Sequence, residues 1–183
     1  MQEELIVRHC SPTLAGIKTG SMFTCPYDCP MKIKEEIRQL NKRLKDKGLR
    51  MIPLRFSDKR VLLYLYRASK LDKDLSDELA RKLLAQEGYS TERCTICIAK
   101  LVAKFRKFEG VPHEVGLFLG YPPEDVHGFI ENKACGYKCS GCWKVYGNQE
   151  EALKTFEKYK KCTEIYCAQW ADGMPLEKLA VAG

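Results

Sequence analysis

The chain has 183 residues, 45% hydrophobic and 30% charged, with a formal net charge of +7 and 10 cysteines. That size suits one globular domain over residues 1–183 whose core needs neither disulfides nor a structural metal, and the composition excludes extended disorder, collagen-like repeats and low complexity. The longest apolar run, Val61 to Tyr66, is far shorter than the ~20 residues a membrane helix requires.

The acidic start MQEELIVRHC lacks the basic region and long apolar stretch of a signal peptide, so a cytosolic location with reduced cysteines is expected. A short strand is predicted over 4–8. The Ser11-Pro12 pair then reads as an N-cap with proline at the first helical position, which puts Cys10 just ahead of a helix. Over 29–47 the spacing of Ile33, Ile37, Leu40 and Leu44 predicts a helix ended by Gly48. Strands follow over 49–56 and 60–67, joined at Ser57-Asp58-Lys59; the second, RVLLYLYR, is apolar enough for the interior of a sheet.

A helix over 74–86 repeats Leu75, Leu79 and Leu83 ahead of Gly88, and another over 92–108 starts at Thr91. On the latter, Cys94, Cys97, Ile98, Leu101 and Phe105 share one face, so this Cys-x-x-Cys reads as core packing. HEVGLFLGY after Pro112 is predicted as a strand, and Pro122-Pro123-Glu124-Asp125 as a helix start with Val126, Phe129 and Ile130 inward. The loop CGYKCSGC leads into a short strand WKVYG. Asn148 caps a last long helix that turns Leu153, Phe156 and Tyr159 inward, and LEKLAVAG ends the chain as an edge strand. These elements predict an α/β or α+β fold, a single domain in which a mixed β-sheet packs with about five helices. No glycine-rich phosphate loop follows a strand, which counts against nucleotide hydrolysis and a dinucleotide fold.

Three groups of residues could carry function. Cys10 at a helix start would be favoured as thiolate by the backbone N–H groups there, and a thiol nucleophile needs a base. His9 would point away from Cys10 on an extended segment, whereas His113 at a strand start reproduces the order of a papain-like Cys-His pair. Glu114, Asp125, His127 or Asn132 would orient the imidazole, and Lys18 or backbone N–H groups would stabilise an anionic intermediate. This predicts a thiol-dependent enzyme that requires no cofactor.

The alternative site is Cys135-x3-Cys139-x2-Cys142, a spacing suited to zinc or an iron–sulfur cluster, with Cys25, Cys29 or Cys162 as a fourth ligand. It would make the protein a metal-binding or redox-partner protein. The third alternative is a non-catalytic interaction protein. The basic tracts KLVAKFRK and FEKYKKC are explained by amphipathic helices, so the partner is expected to be a small molecule or a protein thiol or redox partner rather than nucleic acid or membrane.

The segments PHEVGLFLGYPPEDVHGFIEN, GCWKVYGNQEEA, HCSPTLAGIKTGSMF and RVLLYLYR resemble, together and nearly end to end, a bacterial domain family of unknown function found largely in anaerobes. Its PHE and FLGYP motifs match Pro112-His113-Glu114 and Phe118 to Pro122 here. The resemblance implies no activity; it places Cys10, Lys18, His113, Glu114 and Tyr121 within the family's characteristic segments.

Overall fold

A computed structural model describes residues 2–107 and 109–183, so the last position of the helix expected over 92–108 lies outside the described residues. The fold is α+β. It divides into two compact units, one formed by residues up to Lys70 together with Lys161–Gly183, the other by Leu71–Lys160.

The first unit is built on a three-stranded sheet in which β3 (Arg60–Arg67) lies between β1 (Gly20–Pro26) and β2 (Leu49–Ser57). Both pairings are antiparallel. A link as short as that between Ser57 and Arg60 joins only antiparallel neighbours. RVLLYLYR takes the central place its apolar run calls for, and Val61, Leu63, Tyr64 and Leu65 are fully buried. A bulge interrupts β2 between Pro53 and Arg55. The Asn41 side chain accepts from the Met51 N–H at 2.7 Å and donates to its carbonyl at 2.8 Å. It thereby caps backbone groups that an edge strand leaves unpaired.

Two helices of this unit start differently from expectation in one case and as expected in the other. α2 (Pro30–Leu44) buries Ile33, Ile37, Leu40 and Leu44, and a 3₁₀ turn over Lys45–Lys47 ends at Gly48 with φ 70°. The segment predicted as a strand at 4–8 is instead part of α1 (Glu3–Leu14). Ile6, Val7, Cys10 and Leu14 recur at helical spacing, and Glu3 and Glu4 favour the positive end of the helix dipole. Ser11 and Pro12 therefore close α1 rather than open a helix: the Ser11 hydroxyl donates back to the Val7 carbonyl, and the Pro12 carbonyl accepts from Ile17 and Lys18. The ending LEKLAVAG forms a short helix over Leu176–Leu179, not an edge strand, and Val181 then donates to the Leu14 carbonyl.

Arg67 ties these pieces together. It is 1% exposed, and its guanidinium donates to the carbonyls of Thr13 (2.7 Å), Leu14 (2.6 Å), Lys47 (3.1 Å) and Val181 (2.8 Å).

The second unit is mainly helical. The helix predicted over 74–86 is two, α3 (Ala68–Leu75) and α4 (Glu78–Gln86), because Asp77 caps the second by accepting from the Ala80 N–H at 3.0 Å. α5 (Cys94–Lys107) begins three residues after Thr91 and buries Cys97, Leu101 and Phe105. HEVGLFLGY is not a strand: Val115–Phe118 forms α6, all four residues buried. A short, wholly buried apolar run has no periodicity by which strand and helix can be told apart. α7 (Pro123–Glu131) starts at its proline as expected, and a hairpin of β4 (Cys139–Ser140) and β5 (Lys144–Val145) precedes α8 (Gln149–Ala171). Asn148 caps α8 by accepting from the Glu151 N–H, while Tyr159 is buried and Leu153 is exposed.

Candidate functional site

The FLGYPPED stretch shapes a pocket in the second unit. Gly120, in the left-handed region at φ 74°, ends α6 and turns the chain so that the Tyr121 N–H reaches back to the Gly116 carbonyl at 2.9 Å. Pro122 and Pro123 then launch α7. A Cβ on Gly116 would lie 2.7 Å from Val126 Cγ2 and 3.1 Å from Tyr121 Cδ2, so the close approach of α6 and α7 depends on glycine there.

Asp125, in the first turn of α7, anchors the hairpin to this scaffold. It is 3% exposed, and its carboxylate accepts from Trp143 Nε1 at 2.6 Å and from the Tyr146 and Gly147 N–H groups, each at 2.7 Å. The Trp143 ring is thereby held stacked on Tyr121, 4.8 Å between centroids, with Phe156 edge-on to it at 4.6 Å. Gly141 in the hairpin lets Phe156 approach, since a Cβ at that position would run into its ring.

Between these elements lies a cavity of about 290 Å³, walled by Val115, Val126, Phe129 and Trp143 and edged by His113, Ser140 and Lys144. The His113 ring stands edge-on to Phe129 at 5.3 Å. Ser140 and Lys144 are directly opposite one another in the hairpin, which puts both side chains on one face of it. The Lys144 ammonium donates to the Ala134 carbonyl at 2.8 Å and lies 4.6 Å from the Tyr137 ring centroid. Burial, with Cys142 as a lesser influence, pushes the Tyr121 phenol up to about 12, so it stays protonated at neutral pH.

Glu114 has the opposite task to its neighbour His113. It is 2% exposed and accepts from the Tyr89 hydroxyl at 2.9 Å and the Lys104 ammonium at 2.6 Å, and Lys104 also reaches Glu87 at 2.7 Å. This clamp fixes the PHE segment from behind while His113 faces outward. None of the residues considered as orienting groups for His113 is hydrogen-bonded to it: Asp125 serves the hairpin, Glu114 serves Lys104, Asn132 donates to the Gly128 carbonyl, and His127 lies beside Glu131.

The premise for an activated Cys10 does not hold. Cys10 lies in the third turn of α1, is 0% exposed, and burial pushes its thiol far above the ordinary range, with Lys18 only partly opposing that. It behaves as a small core hydrophobe of the first unit, whereas His113 belongs to the second. His9 is exposed and stacked on Phe23 at 5.7 Å. The cysteine that does precede a helix is Cys29, exposed at the N-cap of α2, where the backbone N–H groups of Lys32 and Met31 pull its thiol below the usual value. Cys29-Pro30 carries the same signal that was read at Ser11-Pro12.

The metal reading gains no geometric support. Among the described residues, no three His, Cys, Asp or Glu side chains converge to hold a metal ion. Cys139 pairs opposite Val145, Cys135 and Cys142 are exposed, and Cys25, Cys29 and Cys162 all belong to the first unit. Cys94 and Cys97 pack as expected: burial pushes the Cys94 thiol up to about 11, and Cys97 donates to the Ser90 carbonyl.

A family described as protein of unknown function (DUF3793) matches residues 6–180. The chain belongs to that family. No curated protein and no solved structure matches it. In this DUF3793 chain the matched span takes in the PHE and FLGYP segments that build one side of the pocket. Trp143, Lys144 and Ser140 complete it. Those three were not singled out by sequence reasoning, because each looks like an ordinary loop or strand residue until the hairpin register is known. The detectable signal was the aromatic and glycine content of GCWKVYG beside a buried acid.

Proposed function

We propose that this protein binds a small molecule in the pocket of its second unit. The observation that carries this reading is a cavity of about 290 Å³ with apolar walls and a few polar side chains at its edge. That is the general form of small-molecule sites, at the lower end of their size range of roughly 300–1,000 Å³. The Gly120 turn, the Asp125 anchor and the Glu114 clamp support it further, since each holds a wall of the pocket in place.

No cysteine lines the cavity, so binding is better supported than thiol chemistry there. A larger groove of about 550 Å³ in the first unit runs along His9, Phe23, Thr24 and Arg60. There Arg60 donates to the Thr24 hydroxyl at 2.9 Å and the His9 ring is stacked on Phe23.

The test is a ligand-observed NMR screen of a small-molecule fragment library, with Trp143 fluorescence read in a Trp170→Phe background. Fragments that shift Trp143 emission and are lost in Ser140→Phe, which sets a ring at the pocket's edge, are the expected result. Binding that Ser140→Phe leaves intact, or a library without hits, would overturn the reading.

A further inference from the structure

Which ligand chemistry fits follows from what the polar groups around the cavity have left to offer. The single carboxylate in the lining is Asp125, and both its oxygens are already used, one by Trp143 Nε1 and the other by two backbone N–H groups. Its charge is spread over three donors and directed into the hairpin. It therefore has little to give a cationic ligand.

Two groups at the edge, Lys144 and Ser140, point the other way. An ammonium has three donors, and Lys144 gives one to the Ala134 carbonyl. Among the described residues no carboxylate pairs with Lys144; its other neighbours are the Tyr137 and Phe129 rings, at 4.6 and 5.9 Å. Ser140, its cross-strand partner, offers a hydroxyl on the same face. The walls are valine, phenylalanine, tyrosine and tryptophan side chains, which reward a hydrocarbon or aromatic body.

We propose that the ligand is a small apolar carboxylate, its hydrocarbon or aromatic body against Val126, Phe129 and Trp143 and its carboxylate on the Lys144 ammonium and the Ser140 hydroxyl. This deepens the binding reading and rests on it. The complex forms without any covalent step.

Three probes of matched shape separate the two ideas: phenylacetate, its neutral analogue phenylacetamide, and the cation 2-phenylethylamine, each titrated by ligand-observed NMR at neutral pH. Phenylacetate is expected to bind about tenfold more tightly than phenylacetamide, the worth of one charge-assisted hydrogen bond, and the amine more weakly than either. Lys144→Met should erase the preference, phenylacetate falling to the affinity of phenylacetamide in the same variant. Lys144→Arg, which keeps the charge, should restore most of it and guards against a folding defect in the methionine variant. Equal affinity for phenylacetate and phenylacetamide, or a preference that survives Lys144→Met, overturns the carboxylate assignment and leaves the pocket standing. If none of the three probes binds in a manner sensitive to Ser140→Phe, the pocket reading and the carboxylate assignment both fall.

Discussion

The two units solve the same packing problem with different outcomes. In the first, sheet and helix side chains form a continuous core, and among the described residues its one deeply buried charge, Arg67, is consumed by four backbone carbonyls. In the second, short helices and a two-residue-strand hairpin meet around a cavity, and the buried charges Asp125 and Glu114 hold its walls. Both units carry a concave surface, a groove of about 550 Å³ along His9 and Phe23 in the first and the cavity of about 290 Å³ in the second.

The largest expected effect is on the closed unit. Arg67→Met removes the guanidinium donors to Thr13, Leu14, Lys47 and Val181 and should cost about 3–5 kcal/mol in urea unfolding, since four carbonyls each lose a charge-assisted hydrogen bond. A loss below about 1 kcal/mol would mean that water replaces the guanidinium and that the unit is less closed than described.

Asp125→Ala should cost about 2–3 kcal/mol by orphaning the Trp143, Tyr146 and Gly147 N–H groups. Its signature is a loosened hairpin, read as a red shift of Trp143 emission before global unfolding. If emission shifts only with global unfolding, the carboxylate is not what holds the pocket wall.

Gly116→Ala presses a methyl group against Val126 and Tyr121 and should cost about 1–2 kcal/mol while narrowing the cavity. Retained fragment binding at wild-type affinity would show that the α6–α7 approach does not define the pocket.

The smallest effect concerns reactivity rather than stability. Thiolate attacks an alkylating reagent, so a lowered thiol pKa moves labelling to lower pH and a raised one moves it higher. Cys29 should therefore label with iodoacetamide near neutral pH well before Cys94, whose thiol is pushed up to about 11, and before Cys10, Cys25 and Cys97. Mass spectrometry across pH checks the order; early labelling of Cys10 would contradict the closed core of the first unit.

Much of the architecture was legible from side-chain periodicity and end signals. α2 was readable from its apolar stripe, β3 from its unbroken apolar run, α7 from Pro123 and its acids, and the start of α8 from Asn148. Each of these is a local property of ten or so residues, set by backbone sterics and helix-end hydrogen bonding. α6 escaped because Val115 to Phe118 is too short and too uniformly apolar to show a period, and α1 because Ser11-Pro12 looks like a helix start, although Ile6, Val7, Cys10 and Leu14 keep helical spacing.

The candidate site was the least legible part. His113 could be singled out as one of 3 histidines, but Lys144 and Ser140, which line the same cavity, are distant in the chain and are brought to it by the hairpin. Whether a residue before a proline starts a helix was equally a tertiary matter: Ser11-Pro12 and Cys29-Pro30 look alike as dipeptides, yet one lies near the end of α1 and the other begins α2. By itself the sequence determined a mixed α and β class, the ends of several helices and the central strand, because these follow from nearest-neighbour geometry and hydrophobic period. Only the tertiary structure decided which cysteines are silent, which acids are already satisfied and where a cavity remains, because those depend on how segments far apart in the chain exclude water from one another.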